Sequence, residues 1–187
     1  EKAEREPSRG IEEIVVTANK RAESIRDIAG SVGAVRGDDL EKQGAKDLEG
    51  FLKFVPGVSL NKQDLGGNAP SIRGIASSTS LGISQAATGT YIDEVPLNGP
   101  YASFHTVDPN PYDLERVEVL KGPQATLYGS NSLAGAIRYI LQKPKLGAWE
   151  GKVSVDSVAI SDDGRALSGE AAVNIPVYED QAALRIA

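Results

Sequence analysis

The sequence contains no cysteine and no methionine, with a single histidine and a single tryptophan among its 187 residues. The lack of cysteine excludes disulfide bonds, thiolate metal sites and cysteine nucleophiles. Because methionine is absent even at position 1, we expect the chain to begin after processing, and a removed signal peptide explains this most simply. No apolar run approaches the roughly 18 residues that a membrane-spanning helix needs.

The residues that are present have the composition of a folded protein, with 40% hydrophobic and 25% charged residues. The 20 glycines and 10 prolines favour a fold rich in turns. The net charge is −6 and the basic residues are scattered, so nucleic acid is not an expected partner. Asp108 begins a segment similar to a calcium loop, but Tyr112 and Asp113 stand where that loop needs a ligand and a glycine. We therefore expect no metal site and no cofactor.

The most informative stretch is residues 115–144, ERVEVLKGPQATLYGSNSLAGAIRYILQKP. Val117 and Val119 fall on one side of a two-residue period. Arg116 and Glu118 fall on the other side, which predicts a strand with one apolar and one charged face. A Gly-Pro break, a one-turn helix, a loop of small residues and a second alternating segment follow. The stretch therefore predicts the order strand, helix, loop, strand.

Four apolar residues recur at the spacing of one helix face: Leu48, Phe51, Leu52 and Val55. This stripe predicts a short buried helix that ends before Pro56. An earlier helix is expected near Leu40, capped by Asp38 or Asp39. A turn is predicted at residues 66–70.

From residue 147 onward the pattern is that of longer antiparallel strands. Val153 and Val155 alternate with polar residues, residues 161–165 form a predicted turn, and residues 167–175 alternate again. Strands of about ten residues with this repeat are typical of a transmembrane β-barrel, and a soluble antiparallel meander is the alternative. Two strands and part of a third cannot close a barrel, so we expect the chain to be the front of a longer protein.

Five motifs follow one another along the chain: EIVVTA (13–18), LEGFLKFVPGV (48–58), SIRGI (71–75), YIDEVPL (91–97) and the stretch at 115–144. In this order they resemble the plug domain of TonB-dependent outer-membrane receptors over most of the chain. The resemblance implies an α/β (α+β) plug domain with a small mixed sheet and short helices, followed by the start of a transmembrane antiparallel β-barrel. The expected segments are a mobile N-terminal segment with the TonB box (1–21), the plug (22–146) and the first barrel strands (147–187).

The motif EIVVTA concentrates β-forming residues between polar stretches. It can be an ordinary first strand of the domain, or a strand kept free to pair with a sheet edge of another protein. Resemblance to the TonB box favours the second interpretation, with the C-terminal domain of TonB as the partner. The partner-binding residues are then Glu13, Ile14, Val15, Val16, Thr17 and Ala18.

The resemblance also implies that Arg73, Arg116 and Glu118 contact the barrel wall, and a solvated surface arginine is the alternative. Two long loops flank the YIDEVPL motif, and their aromatic, hydroxyl and amide groups suit a bound small molecule. The candidate ligand-facing residues are Ser78, Thr79, Leu81, Tyr101, Phe104 and His105. Mobile linkers are the alternative for these loops.

The implied function is uptake of a scarce or bulky nutrient, such as an iron-siderophore, haem, cobalamin or a carbohydrate, across the bacterial outer membrane. The N-terminus is then periplasmic, and the plug lies within its own barrel. A soluble periplasmic plug-like module without transport is the first alternative. A hydrolase using Ser84, Asp93 and His105 is the second, but Ser84 lies in a charge-free loop instead of a strand-to-helix turn. We expect no enzymatic activity.

Overall fold

The computed structural model describes residues 14–18, 20–45, 47–62, 68–77, 86–99, 110, 112–160, 164–178 and 181–187. The helices within these residues are α1 (Gly37–Lys42), α2 (Leu48–Leu52) and α3 (Ala125–Tyr128). The strands within these residues are β1 (Val15–Val16), β2 (Glu23–Ser24), β3 (Ser31–Arg36), β4 (Val58–Lys62), β5 (Asn68–Ile72), β6 (Thr88–Ile92), β7 (Val95–Pro96), β8 (Leu114–Lys121), β9 (Gly135–Leu141), β10 (Glu150–Ile160), β11 (Gly164–Tyr178) and β12 (Ala182–Ile186).

A five-stranded sheet in the order β3-β8-β9-β6-β7 forms the centre of the fold. The pair β6–β9 is parallel and the other pairs are antiparallel, so the sheet is mixed. Two short pairs, β1–β2 and β4–β5, lie outside this sheet, and β10, β11 and β12 form a separate antiparallel sheet. The predicted architecture, a small mixed sheet with short helices followed by antiparallel strands, is confirmed.

The two central strands, β8 and β9, are buried on both faces. Val117 and Val119 on β8 join Ile137 and Tyr139 on β9 in the main hydrophobic core, together with residues of α1 and α2. The opposite face carries the charged residues that the sequence predicts, yet it is also buried, because residues 14–18 cover it. We call residues 14–18 the N-terminal segment.

Close backbone packing fixes α1 on β8. A Cβ atom at Gly37 would lie 1.9 Å from the carbonyl oxygen of Leu114, so only glycine fits there. Gly135, at the start of β9, has a φ of +153°, and a Cβ atom there would lie 2.1 Å from the carbonyl oxygen of Leu120. These two glycines allow α1 and the start of β9 to lie directly against β8.

The local predictions have mixed outcomes. Helix α2 begins after Asp47, whose side chain accepts a hydrogen bond from the Gly50 amide at 2.7 Å. Asp38 and Asp39 do not cap α1, because the helix begins at Gly37 and both acids lie in its first turn. Residues 68–70 form part of β5 instead of a turn, since they pair with β4. None of the helices in the described residues has the length and hydropathy of a membrane-crossing segment.

The separate sheet has two different faces. Strand pairing places five apolar side chains on its outer face, and all five are exposed: Val153, Val155, Leu167, Leu184 and Ile186. The inner face carries Lys152, Ser154, Glu170, Asn174 and Arg185. The predicted two-residue alternation of these strands is therefore confirmed, and residues of the polar face contact α1 and residues 110–113.

Candidate functional site

A buried carboxylate, that of Glu118, lies at the centre of the charged face of β8 and β9. Glu118 is fully buried, and strand pairing sets it directly opposite Arg138. Arg116 Nε donates to Glu118 Oε1 at 2.8 Å, and Arg138 Nη1 donates to Glu118 Oε2 at 2.8 Å. Two guanidinium groups thus compensate one carboxylate away from water. We call these three residues the charge cluster.

The N-terminal segment binds the charge cluster through Thr17. The Thr17 amide donates to Glu118 Oε1 at 2.8 Å, and Arg138 Nη1 donates to both the carbonyl oxygen and Oγ1 of Thr17 at 2.8 Å. The Thr17 hydroxyl also lies 3.3 Å from Glu118 Oε1. Both main-chain polar groups of Thr17 are therefore occupied by charged side chains, which form the stronger class of hydrogen bonds.

Tyr128 on α3 holds the end of the same segment. Its hydroxyl donates to the carbonyl oxygen of Ala18 at 2.7 Å, and its ring packs edge-on against Tyr91 with the ring centres 5.3 Å apart. Burial is the main cause that raises the pKa of Tyr128 to about 12. The phenol is therefore protonated at neutral pH and serves as the donor in this hydrogen bond.

A more exposed pair lies beside the buried cluster. Arg138 Nη2 donates to Glu94 Oε1 at 2.8 Å, and Lys20 Nζ lies 3.4 Å from Glu94 Oε2. Lys20 and Glu94 are both about half exposed, so this pair contributes little stability by itself. Glu94 nevertheless connects the turn between β6 and β7 to Arg138.

The predicted partner-binding strand is docked on the sheet in this structure instead of being free. Val15 and Val16 pair with Ser24 and Glu23, and Val16 is fully buried in a cluster with Tyr91, Leu120 and Tyr128. The physical reason is that the N-terminal segment supplies the cover for a charged sheet face that would otherwise be open. Residue 13, also predicted to bind the partner, lies outside the described residues.

Arg116 and Glu118 lie inside the plug, where the N-terminal segment contacts them, so their predicted contact with a barrel wall is not seen in the described residues. Their charged atoms form hydrogen bonds with each other, with Arg138 and with Thr17. Arg116 also pairs with the neighbouring Glu115. The sequence pattern identified the charged face correctly, but it gave no information about what covers that face.

The contacts between the plug and strands β10–β12 are made by residues that sequence reasoning did not single out. Arg185 on β12 binds Asp113 with two hydrogen bonds, from Nε to Oδ2 at 2.7 Å and from Nη2 to Oδ1 at 2.5 Å. Lys152 pairs with Glu41 of α1. The Tyr112 hydroxyl donates to the carbonyl oxygen of Lys152 at 3.0 Å. These polar contacts attach the first long strands to the plug.

Arg73 lies in the exposed turn after β5, with a φ of +53°. Burial lowers the pKa of Lys121, and the positive charge of Arg73 lowers it further. Lys121 Nζ donates to the carbonyl oxygen of Pro56 at 2.7 Å. Neither Arg73 nor Lys121 forms an ion pair with a carboxylate among the residues that the structure describes.

The candidate ligand-facing residues all lie outside the described residues: Ser78, Thr79, Leu81, Tyr101, Phe104 and His105. Ser84 does too, whereas Asp93 forms the turn after β6, where its Oδ1 accepts a hydrogen bond from the Leu141 amide at 3.2 Å. Within the described ranges, no group of three or more histidine, cysteine or acidic side chains is placed to hold a metal ion.

Arg138, Asp113 and Asn174 are among the residues with clear structural roles that were missed from the sequence. Arg138 could have been found, because a basic residue on the charged face of β9 is the natural partner for Glu118 on β8. Asp113 and Asn174 leave no comparable signal, since each interacts with residues far away along the chain.

The comparisons with known proteins give one result. The chain matches the family described as TonB-dependent Receptor Plug Domain over residues 24–136. It is 32% identical over 166 residues to the iron-regulated outer membrane virulence protein of Vibrio cholerae, which covers 87% of this chain and 24% of that protein. It is 32% identical over 135 residues to the vitamin B12 transporter BtuB of Vibrio vulnificus, which covers 68% of this chain and 20% of that protein.

A solved structure of an outer membrane receptor has a similar fold. The pyoverdine outer membrane receptor FpvA of Pseudomonas aeruginosa, bound to pyoverdine, superposes with a TM-score of 0.69 at 24% identity over 87% of this chain and 22% of that chain. The chain thus spans about a quarter of the length of these relatives. Since the family match, the relatives and the fold agree, the chain belongs to the plug-domain family of TonB-dependent receptors of the bacterial outer membrane and comprises the plug and the first strands that follow it.

Proposed function

We propose that this chain serves in the import of a scarce or bulky nutrient across the outer membrane, with TonB supplying the energy. The plug, residues 22–146 as the sequence predicts, fills the lumen of a barrel that begins at about residue 147. The N-terminal residues 13–18 pair as a strand with the C-terminal domain of TonB, and traction on them displaces the plug.

The docked N-terminal segment is the observation that carries this proposal. Its polar main-chain groups are bound by side chains of the plug, at Thr17 and Ala18. Such a segment is recognised chiefly through its backbone, which is also how an added β-strand is recognised by the edge of another sheet. Exchange of one set of main-chain hydrogen bonds for another has a small net cost.

The exposed apolar row on β10–β12 supports a membrane location over the soluble alternative. Five large apolar side chains share one exposed face, while the opposite face carries the polar residues that meet the plug. A soluble module would leave this row in water, whereas lipid accommodates it. We therefore place these strands in the outer membrane, with the N-terminus on the periplasmic side.

The cargo is proposed from the relatives. The Vibrio cholerae relative is named for regulation by iron, and the Vibrio vulnificus relative for vitamin B12. A ferric siderophore or a cobalamin is therefore the first class to test, with haem and carbohydrates next. The loops around residues 78–81 and 101–105 are the proposed contacts. Binding of a ferric siderophore panel and of cobalamin to the full-length protein, measured by calorimetry, identifies the class.

Arg73 remains our candidate for contact with the barrel wall. It lies beside Lys121, whose lowered pKa reflects burial and the neighbouring positive charge. Two cations held together at a surface favour a carboxylate supplied from elsewhere. We propose that acidic side chains of the wall meet Arg73. We also propose that the chain acts by binding and transport and not by catalysis.

The pairing with TonB is tested with a peptide of residues 11–18 and the purified C-terminal domain of TonB. Calorimetry should show binding of the unchanged peptide. Val15→Pro should abolish it, because proline removes an amide that strand pairing requires.

The matched control is Val15→Thr, which keeps both the amide and the β-branched side chain. It should bind within a few-fold of the unchanged peptide. The proposal fails if the unchanged peptide does not bind, or if Val15→Pro binds as tightly as Val15→Thr.

A further inference from the structure

The chain leaves the plug through residues 142–149, between β9 and β10, and we call these residues the exit segment. The side chain of Asn174 on β11 is fully buried against it. Asn174 Oδ1 accepts from the Lys145 amide at 2.9 Å, and Nδ2 donates to the carbonyl oxygens of Lys145 at 2.9 Å and Ala148 at 2.7 Å. The side chain of Asn174 thus binds both the amide and the carbonyl group of Lys145, as the main chain of a neighbouring strand would.

A second buried contact lies beside Asn174. Arg185 pairs with Asn174 across β11 and β12, and its guanidinium binds the carboxylate of Asp113 with two hydrogen bonds. Asp113 is buried, and its carbonyl oxygen accepts from the Gln142 amide at the start of the exit segment. Asn174 and Arg185 therefore hold the exit segment and the start of β8 at the same place.

These contacts are unlike an ordinary surface contact between a domain and its neighbour. Asn174 has no exposure to solvent and all of its amide groups are used. A buried polar side chain that is fully satisfied at one position loses several interactions if the backbone it binds moves away. The arrangement therefore fixes the path of the exit segment.

We propose that Asn174, assisted by the Asp113–Arg185 pair, is a positioning residue that anchors the C-terminal end of the plug to the first wall strands. This inference rests on the proposed function, since it assigns a fixed end to a plug that is pulled at its other end. Traction on the N-terminal segment then rearranges the plug around this anchor without detaching the exit segment. The anchor itself is a property of the unpulled protein and can be measured without TonB.

Limited proteolysis of the full-length protein tests the anchor directly. Trypsin can cut after Lys145, whose amide and carbonyl groups are both held by Asn174. Cleavage there requires local opening of the exit segment, so its rate follows the population of the open form. Asn174→Ala should increase the rate of this cut about tenfold, because it removes three hydrogen bonds. Mass spectrometry of the fragment that begins at Leu146 gives the rate.

Ser168→Ala is the matched control, because Ser168 is an exposed residue on the same strand. It should leave the cut after Lys145 unchanged. Asp113→Asn, which leaves β11 intact, should increase the cut several-fold by weakening the neighbouring contact.

The proposal is overturned if Asn174→Ala, folded by circular dichroism, is cut after Lys145 no faster than Ser168→Ala. Should Asn174→Ala fail to fold, an unchanged cutting rate in Asp113→Asn overturns it instead. A faster cut in both variants supports the anchor whatever TonB does. Failure of the residue 11–18 peptide to bind TonB would then reject the proposed function alone.

Discussion

The N-terminal segment and the exit segment both meet the rest of the protein through buried polar groups, but they use these groups differently. At Thr17 the segment offers its main chain to charged side chains of the plug itself. At Lys145 the main chain is held by an amide side chain that belongs to the following sheet. The first attachment lies within the plug, and the second joins the plug to the strands after it.

This difference has a consequence for which end can be released. Release of the N-terminal segment can be offset by new strand pairing, because another sheet edge can satisfy the same main-chain groups. The exit segment gains no such replacement when it leaves Asn174 and Arg185. Under the proposed function, we therefore expect the plug to open from its N-terminal side while its C-terminal side stays in place.

The largest expected effect is at the charge cluster. Glu118→Gln removes the buried carboxylate that Arg116 and Arg138 share and leaves them only the partly exposed Glu115 and Glu94, so it should lower the free energy of unfolding by about 3–5 kcal/mol. Urea unfolding, monitored by circular dichroism, measures this loss of unfolding free energy. Glu115→Gln, on the same strand but partly exposed, should cost less than about 1 kcal/mol. Equal losses in the two variants would show that the cluster is not the centre of the docking site.

The next effect concerns the exit side. Arg185→Gln leaves the buried Asp113 carboxylate without its two hydrogen bonds, and should lower the free energy of unfolding by about 3 kcal/mol. The control is Arg165→Gln, since Arg165 is exposed on β11. Urea unfolding of both variants measures the two losses of unfolding free energy. A loss at Arg185 no greater than that at Arg165 would remove the contrast between the two ends.

A smaller effect is expected at Thr17. Thr17→Val keeps the β-branched shape but removes the hydroxyl that Arg138 and Glu118 contact, which should weaken docking by about 1–2 kcal/mol. Amides of residues 14–18 should exchange with deuterium about tenfold faster, while binding of the TonB C-terminal domain does not weaken. Thr17→Ser keeps the hydroxyl and should behave like the unchanged protein. Exchange in Thr17→Val that is no faster than in Thr17→Ser would contradict this.

The smallest effect is at Tyr128. Its pKa is raised to about 12, so the folded protein holds the phenol proton more tightly than the unfolded chain does. This contribution is complete below about pH 10 and is lost as the pH rises through 12. Tyr128→Phe should cost about 1 kcal/mol at neutral pH and should remove this alkaline loss. Unfolding measured from neutral pH to pH 12 checks both; an alkaline loss that persists in Tyr128→Phe would assign it to another group.

Much of the fold could be predicted from local patterns. The alternation at Val117 and Val119 predicted β8 and its apolar face, and the helical stripe from Leu48 predicted α2. The two-residue repeat after residue 147 predicted β10 and β11. These predictions succeed because each depends on the periodicity of apolar residues within one element.

The sequence by itself thus determined strands β8 to β11, the faces that are apolar or charged, and the order of motifs that places the chain in its family. Only the tertiary structure decided that the charged face is covered by the N-terminal segment, since Thr17 and Glu118 lie 101 residues apart. It alone brought Asn174 to Lys145 and Arg185 to Asp113, pairs separated by 29 and 72 residues. The physical reason is that periodicity records how one element divides between polar and apolar surroundings, whereas the group that satisfies a buried polar atom is chosen by the packing of distant elements.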